Sequence, residues 1–156
     1  MLKVIQDHQP WYANGLRFEC TGCGQCCTGA PGYVWVDEQE IQQIAAFLTI
    51  SIEEFSRLYL RLVQGHLSLL ELPNTYDCVF LKDKKCQIYS VRPTQCRTFP
   101  WWPHNLKSEK DWQEAARYCE GICVEAPLVP LETIEEQRTI QEKTACHVSY
   151  TEYDGV

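Results

Sequence analysis

No apolar stretch of this chain is long enough to span a bilayer. The first nine residues carry Lys3, Asp7 and His8, with no apolar run before Pro10, so they do not form an export signal. These two absences predict a cytoplasmic protein without a transmembrane segment. Basic charge is also scarce: 14 Lys plus Arg against 21 Asp plus Glu leave a formal charge of -7. With no basic stripe to release counterions from a phosphate backbone, nucleic acid is not an expected partner. The chain contains no Ser-His-Asp set, no H-E-x-x-H, no P-loop and no G-x-G-x-x-G, which removes the enzyme classes built on them. Internal repeats and low-complexity segments are missing too. With 156 residues and 45% hydrophobic residues, the whole span 1–156 reads as one domain able to bury a core of its own.

What the chain has in excess is cysteine. Cys20, Cys23, Cys26 and Cys27 fall within eight residues, and Cys78, Cys86, Cys96, Cys119, Cys123 and Cys146 follow. Without export the thiols stay reduced, and reduced cysteines in clusters read as metal ligands rather than disulfides. A C-x2-C pair commonly gives two ligands to zinc, whereas a C-x2-C-x2-C run often gives three to an iron–sulfur cluster. Cys20, Cys23 and Cys26 match that run. Neighbouring side chains diverge, so Cys27 is expected to point elsewhere, into a second site or the core. Cys78, Cys86 and Cys96 form one distant group, and Cys119 with Cys123 another. The expected centre gathers the N-terminal string against Cys78 to Cys96, with Cys119 and Cys123 closing it. Cys146 falls outside this spacing and reads as a small buried hydrophobe. Zinc and iron–sulfur both remain open, with the glycines and the three-cysteine run favouring iron–sulfur. Gly24 lets the chain turn between Cys23 and Cys26, and Gly22 lets amides approach the sulfurs.

The rest of the chain reads as a small α+β domain: an αα-hairpin, a short β-hairpin and irregular cysteine-bearing loops. Tyr33 to Val36 is a possible strand. Asp37 with Glu40 and Ser51 with Glu54 are capping pairs opening two helices. Ile41, Ile44, Ala45 and Leu48 line one buried face; Ile52, Phe55, Tyr59 and Leu62 line the other, with Arg61 on the wet side. Leu67 to Leu72 is a strand or a helical end. Cys78 to Leu81 and Gln87 to Tyr89 flank a polar turn at Lys82 to Lys85. Pro93 opens a helical turn carrying Cys96 and Arg97. Asp111 and Glu114 are expected to cap a helix ending near Tyr118, and Thr133 and Glu136 a last, mostly polar helix reaching His147.

The strings Cys20-Thr21-Gly22-Cys23-Gly24-Gln25-Cys26-Cys27, Cys86-Gln87-Ile88-Tyr89 and Arg92-Pro93-Thr94-Gln95-Cys96-Arg97-Thr98-Phe99-Pro100 resemble the signature of the YkgJ-like CxxCxxCC family of zinc- or iron-chelating proteins. With Cys78, the resemblance covers residues 20 to 100. It implies a metal-binding domain with an iron–sulfur cluster or zinc as cofactor. Related domains occur in a flagellin lysine methylase, but no methyl-donor or protein-substrate domain is evident here, so methyl transfer is not carried over. The resemblance places Arg97 at the centre as a cofactor-binding residue, with Arg92 as a second candidate; a surface salt bridge is the plainer role for either. Tyr89 and Phe99 are expected to shield the centre. Trp101 and Trp102 cannot both be buried easily, and one of them is a candidate anchor for a protein partner. His104 and His147 are possible ligands that ten thiols make unnecessary. The leading function is a metal-binding accessory or assembly protein. An iron–sulfur redox protein or enzyme and a structural zinc adaptor are the alternatives.

Overall fold

The computed structural model describes residues 8–28 and 32–145, so Gly29, Cys146 and His147 lie outside it. Two apolar clusters organise these residues. The first forms where α1 (Glu38–Leu48) and α2 (Ile52–Tyr59) pack as an αα-hairpin. Asp37 caps α1 by accepting from the Glu40 amide at 2.8 Å, while the Asp37 amide donates to the Glu40 carboxylate at 2.9 Å. Ser51 caps α2, its hydroxyl oxygen accepting from the Glu54 amide at 3.1 Å. Ile41, Ile44 and Ala45 of α1 turn inward onto Phe55, which is fully buried. Burying one such side chain contributes about 1.5–3 kcal/mol.

Beyond Tyr59 the expected helix gives way to a strand. β2 (Leu60–Val63) pairs antiparallel with β3 (His66–Leu69) around Gln64 and Gly65, both at positive φ, as a tight two-residue hairpin requires. Leu62 is therefore 70% exposed on a strand rather than buried on a helix, and Ile52 is also exposed. Arg61 leaves the wet face. Half-buried, it donates to the Gly32 carbonyl, pairs with Glu71 at 3.6 Å and lies 4.7 Å over the Tyr33 ring. The Tyr33 to Val36 segment runs beside β3 through a Trp35–Ser68 bridge. A smaller hairpin, β4 (Leu81–Lys82) with β5 (Lys85–Cys86), turns through Asp83 and Lys84, again at positive φ.

The second cluster is Tyr12, Trp101, Leu106, Trp112 and Ile134. It packs α4 (Glu109–Ala116) and α5 (Leu131–Ala145) against the segment that follows α3 (Thr94–Thr98). Ser108 caps α4, not Asp111, which sits at the third helical position and bonds back to the Ser108 hydroxyl. α5 starts two residues before Thr133, with the Ile134 amide donating to the Pro130 carbonyl. Its polar character has a use: buried Gln141 accepts from the equally buried Thr98 hydroxyl at 2.9 Å, tying α5 to α3. β1 (Leu16–Arg17) pairs with β6 (Leu128–Val129) and closes the N-terminal segment onto this side. Among the described residues no helix is long and apolar enough to cross a membrane.

Candidate metal centre

Between the two clusters lies a cavity of about 230 Å³. Cys20, Cys23, Cys26, Cys27, Cys78, Cys86, Cys96 and Cys119 all line it, eight of the chain's ten cysteines. The convergence is built by backbone hydrogen bonds on both flanks of the loop that follows β1. On one flank the Cys78 amide donates to the Cys27 carbonyl at 2.7 Å, and the Thr28 hydroxyl bonds Asp77. On the other, the Glu19 amide donates to the Gly121 carbonyl at 3.0 Å, and the Thr21 hydroxyl to Glu120 at 2.6 Å. The loop is thus held between the β4–β5 region and the turn after α4.

Each thiol reaches the cavity from a different local structure. Gly24, at φ 75°, opens the 3-10 turn Gln25–Cys27, which carries Cys26 and Cys27. A Cβ at Gly24 would meet the Lys84 carbonyl at 2.7 Å, so glycine is required where the loop meets the β4–β5 turn. Cys78 sits at an antiparallel bridge to Glu71, Cys86 ends β5, Cys96 lies in α3, and Cys119 follows α4. Cys123 is exposed and stands outside the lining. His104 also lies outside it, packed 5.7 Å from the Trp102 ring.

Cys27 does not diverge from Cys26 as expected. The 3-10 turn brings their sulfurs to 4.0 Å. Four sulfurs about 2.3 Å from one tetrahedral ion stand about 3.8 Å apart, so this pair already has a spacing two ligands of one centre require. The hydrogen bond between the two sulfurs pulls the Cys26 pKa down to about 7, helped by backbone bonding and the charge of Arg92. Cys27 is pushed up in turn, by the same bond and then by burial. Burial raises Cys78 to about 11 and also raises Cys86, Cys96 and Cys119. Cys26, Cys78, Cys86 and Cys96 all act on one another: a charge at any one of them raises the cost of charge at the others. Among the described residues, no three Cys, His, Asp or Glu side chains stand close enough to hold a metal ion as placed. The donor chemistry fits a thiophilic metal; a metal would need these sulfurs deprotonated and drawn further inward.

The walls divide by chemistry. Leu69, Ile88, Phe18 and Phe99 are apolar, as expected for shielding by Phe99. Tyr89 covers part of the mouth, 44% exposed, and its hydroxyl bond to Cys20 raises its pKa. Tyr118 forms another edge at 67% exposure; its place directly before Cys119 was the one sequence cue to it. Arg92 and Arg97 both line the cavity. Trp101 is the tryptophan that turns inward, stacked 5.2 Å from Trp112, and so offers no exposed anchor. Half-buried Trp102 donates from its indole to the Gln95 carbonyl at 3.0 Å.

Residues 19–120 match a family model, CxxCxxCC, described as "Putative zinc- or iron-chelating domain". An uncharacterized protein of Methanocaldococcus jannaschii, MJ0661, is 38% identical over 92 residues, 58% of this chain and 48% of that protein. The match thus spans about half the relative's length. No solved structure matches.

Proposed function

Because the chain belongs to the CxxCxxCC family, we propose that it is a metal-binding accessory protein that holds an iron–sulfur centre and presents it to a protein partner. Cys26, Cys78, Cys86 and Cys96 are the inner ligands; Cys20, Cys23, Cys27 and Cys119 are the neighbouring donors. Cys123, outside the cavity, is not among them. The supporting observation is the gathering of eight thiols, from residues as distant as Cys20 and Cys119, around one space of about 230 Å³. That is twice the four thiolates one zinc or one cluster needs, and the space is roomy for a single ion. When bound, the centre would supply electron transfer or an iron able to take a further ligand.

The chain's own residues do the rest. Phe18, Leu69, Ile88 and Phe99 give the cavity apolar walls that lower the local dielectric, strengthening each charge interaction inside. The contact between Cys26 and Cys27 favours a thiolate at Cys26. The exposed rings of Tyr89 and Tyr118 edge the opening a partner would meet. Anaerobic purification followed by iron, sulfide and zinc analysis tests the reading. Iron and sulfide in similar amounts, with a brown chromophore, are expected from the wild type. Cys96→Ser should lose most of both, and Cys123→Ser should keep them. A colourless protein with zinc alone would leave the structural adaptor standing in its place.

A further inference from the structure

Four thiolates around a divalent ion leave roughly two negative charges uncancelled, and a low-dielectric wall makes such a surplus costly. Among the described residues the lining contains no Asp, Glu, Lys or His, and Arg92 and Arg97 are its charged side chains. In a chain of formal charge -7 that local excess of positive charge runs against the composition. We propose that Arg92 is the fixed counter-charge of the cavity, offsetting the negative charge that its thiolates leave on a bound metal centre. The proposal rests on the metal-binding reading above.

Three observations separate Arg92 from the surface salt bridge that the sequence also allowed. Among the described residues, Arg61, Arg117 and Arg138 each pair with a glutamate, while Arg92 has no carboxylate partner. Its position is set by Tyr89 twice over: Nε donates to the Tyr89 carbonyl at 2.9 Å, and the guanidinium lies 3.7 Å over the ring. Fully buried Pro93 follows it and opens the helix bearing Cys96. A charge fixed in this way keeps its orientation without the entropy loss that a free arginine would suffer on each binding event. Its field also reaches Cys26, Cys86 and Cys96. Arg97, the arginine the family resemblance favoured, is exposed and donates to the Thr94 hydroxyl at 3.0 Å, where water screens its charge.

The test compares wild type with Arg92→Gln, Arg92→Lys and Arg97→Gln, each loaded with the metal found in the wild type. Affinity is read by chelator competition, and reduction potential where the centre is iron–sulfur. Arg92→Gln should keep the wild-type circular dichroism and metal stoichiometry. Its affinity should fall about tenfold, or its one-electron potential by the matching ~59 mV. Arg92→Lys, which keeps the charge and loses the stack, should recover most of the difference, and Arg97→Gln should change little. Equal values for wild type and Arg92→Gln would overturn the proposal. So would equal damage from the Gln and Lys variants, which would mark a packing role. A wild type that takes up no metal defeats the metal reading first and this one with it.

Discussion

At the scale of the residue, the two glycines of the cysteine string make different demands. Gly22 and Gly24 share a left-handed φ, 70° and 75°. Gly22 has open space where a Cβ would be, whereas Gly24 faces the Lys84 carbonyl at 2.7 Å and a Leu81 methyl at 2.9 Å. Gly22→Ala should therefore cost only the backbone penalty, about 1 kcal/mol. Gly24→Ala adds a clash with backbone that cannot yield cheaply, so a loss of about 2 kcal/mol or more is expected. Urea unfolding of both variants checks this, and similar midpoints would mean that the loop does not bear on the β4–β5 turn. The turn at Gly24 was legible in the sequence, because a bend between closely spaced ligands restricts the backbone, whereas Gly22 pointed only to amides approaching the sulfurs. The Lys84 contact was not legible, since it joins residues sixty apart.

The elements repeat that division between local and distant causes. Caps at Asp37 and Ser51 could be read in advance because a cap bonds within its own first turn. The end of α2 could not, since the chain from Leu60 follows a strand partner that only the fold supplies. α5 gave a ragged apolar pattern because it meets α3 partly through Thr98 and Gln141, a polar contact that periodicity does not register. Glu40 combines both kinds of cause. One carboxylate oxygen completes the Asp37 capping box, and the other accepts from the Thr94 amide at 2.7 Å, anchoring the helix that carries Cys96. Glu40→Ala strands two backbone donors near a buried position and should cost about 2 kcal/mol or more. Glu54→Ala, at the same place in α2 but exposed, should stay within about 0.5 kcal/mol. Equal losses in the two variants would show that the link from α1 to α3 contributes nothing.

Across the whole molecule, the thiols couple folding to pH in a direction fixed by their shifts. A thiol whose pKa rises on folding stabilises the protein fully below its unfolded value, 9.0 here, and loses that contribution as pH climbs through the folded value. Cys78, raised to about 11 chiefly by burial, behaves this way, as do Cys86, Cys96 and Cys119. Cys26, drawn down to about 7 by the Cys27 bond, has the opposite sign: its contribution is present above 9.0 and fades as pH falls through 7. The raised thiols, Cys27 among them, outweigh the single lowered one above pH 9. The reduced, metal-free protein should therefore lose thermal stability as pH rises from 9 toward 11. In the loaded protein the ligand sulfurs have already given up their protons to make room for metal, so this loss is removed at those positions. The gap in Tm between loaded and metal-free protein should accordingly widen from about pH 8 to about pH 10.5. A constant or narrowing gap would mean that the buried thiols are not the groups a metal displaces protons from.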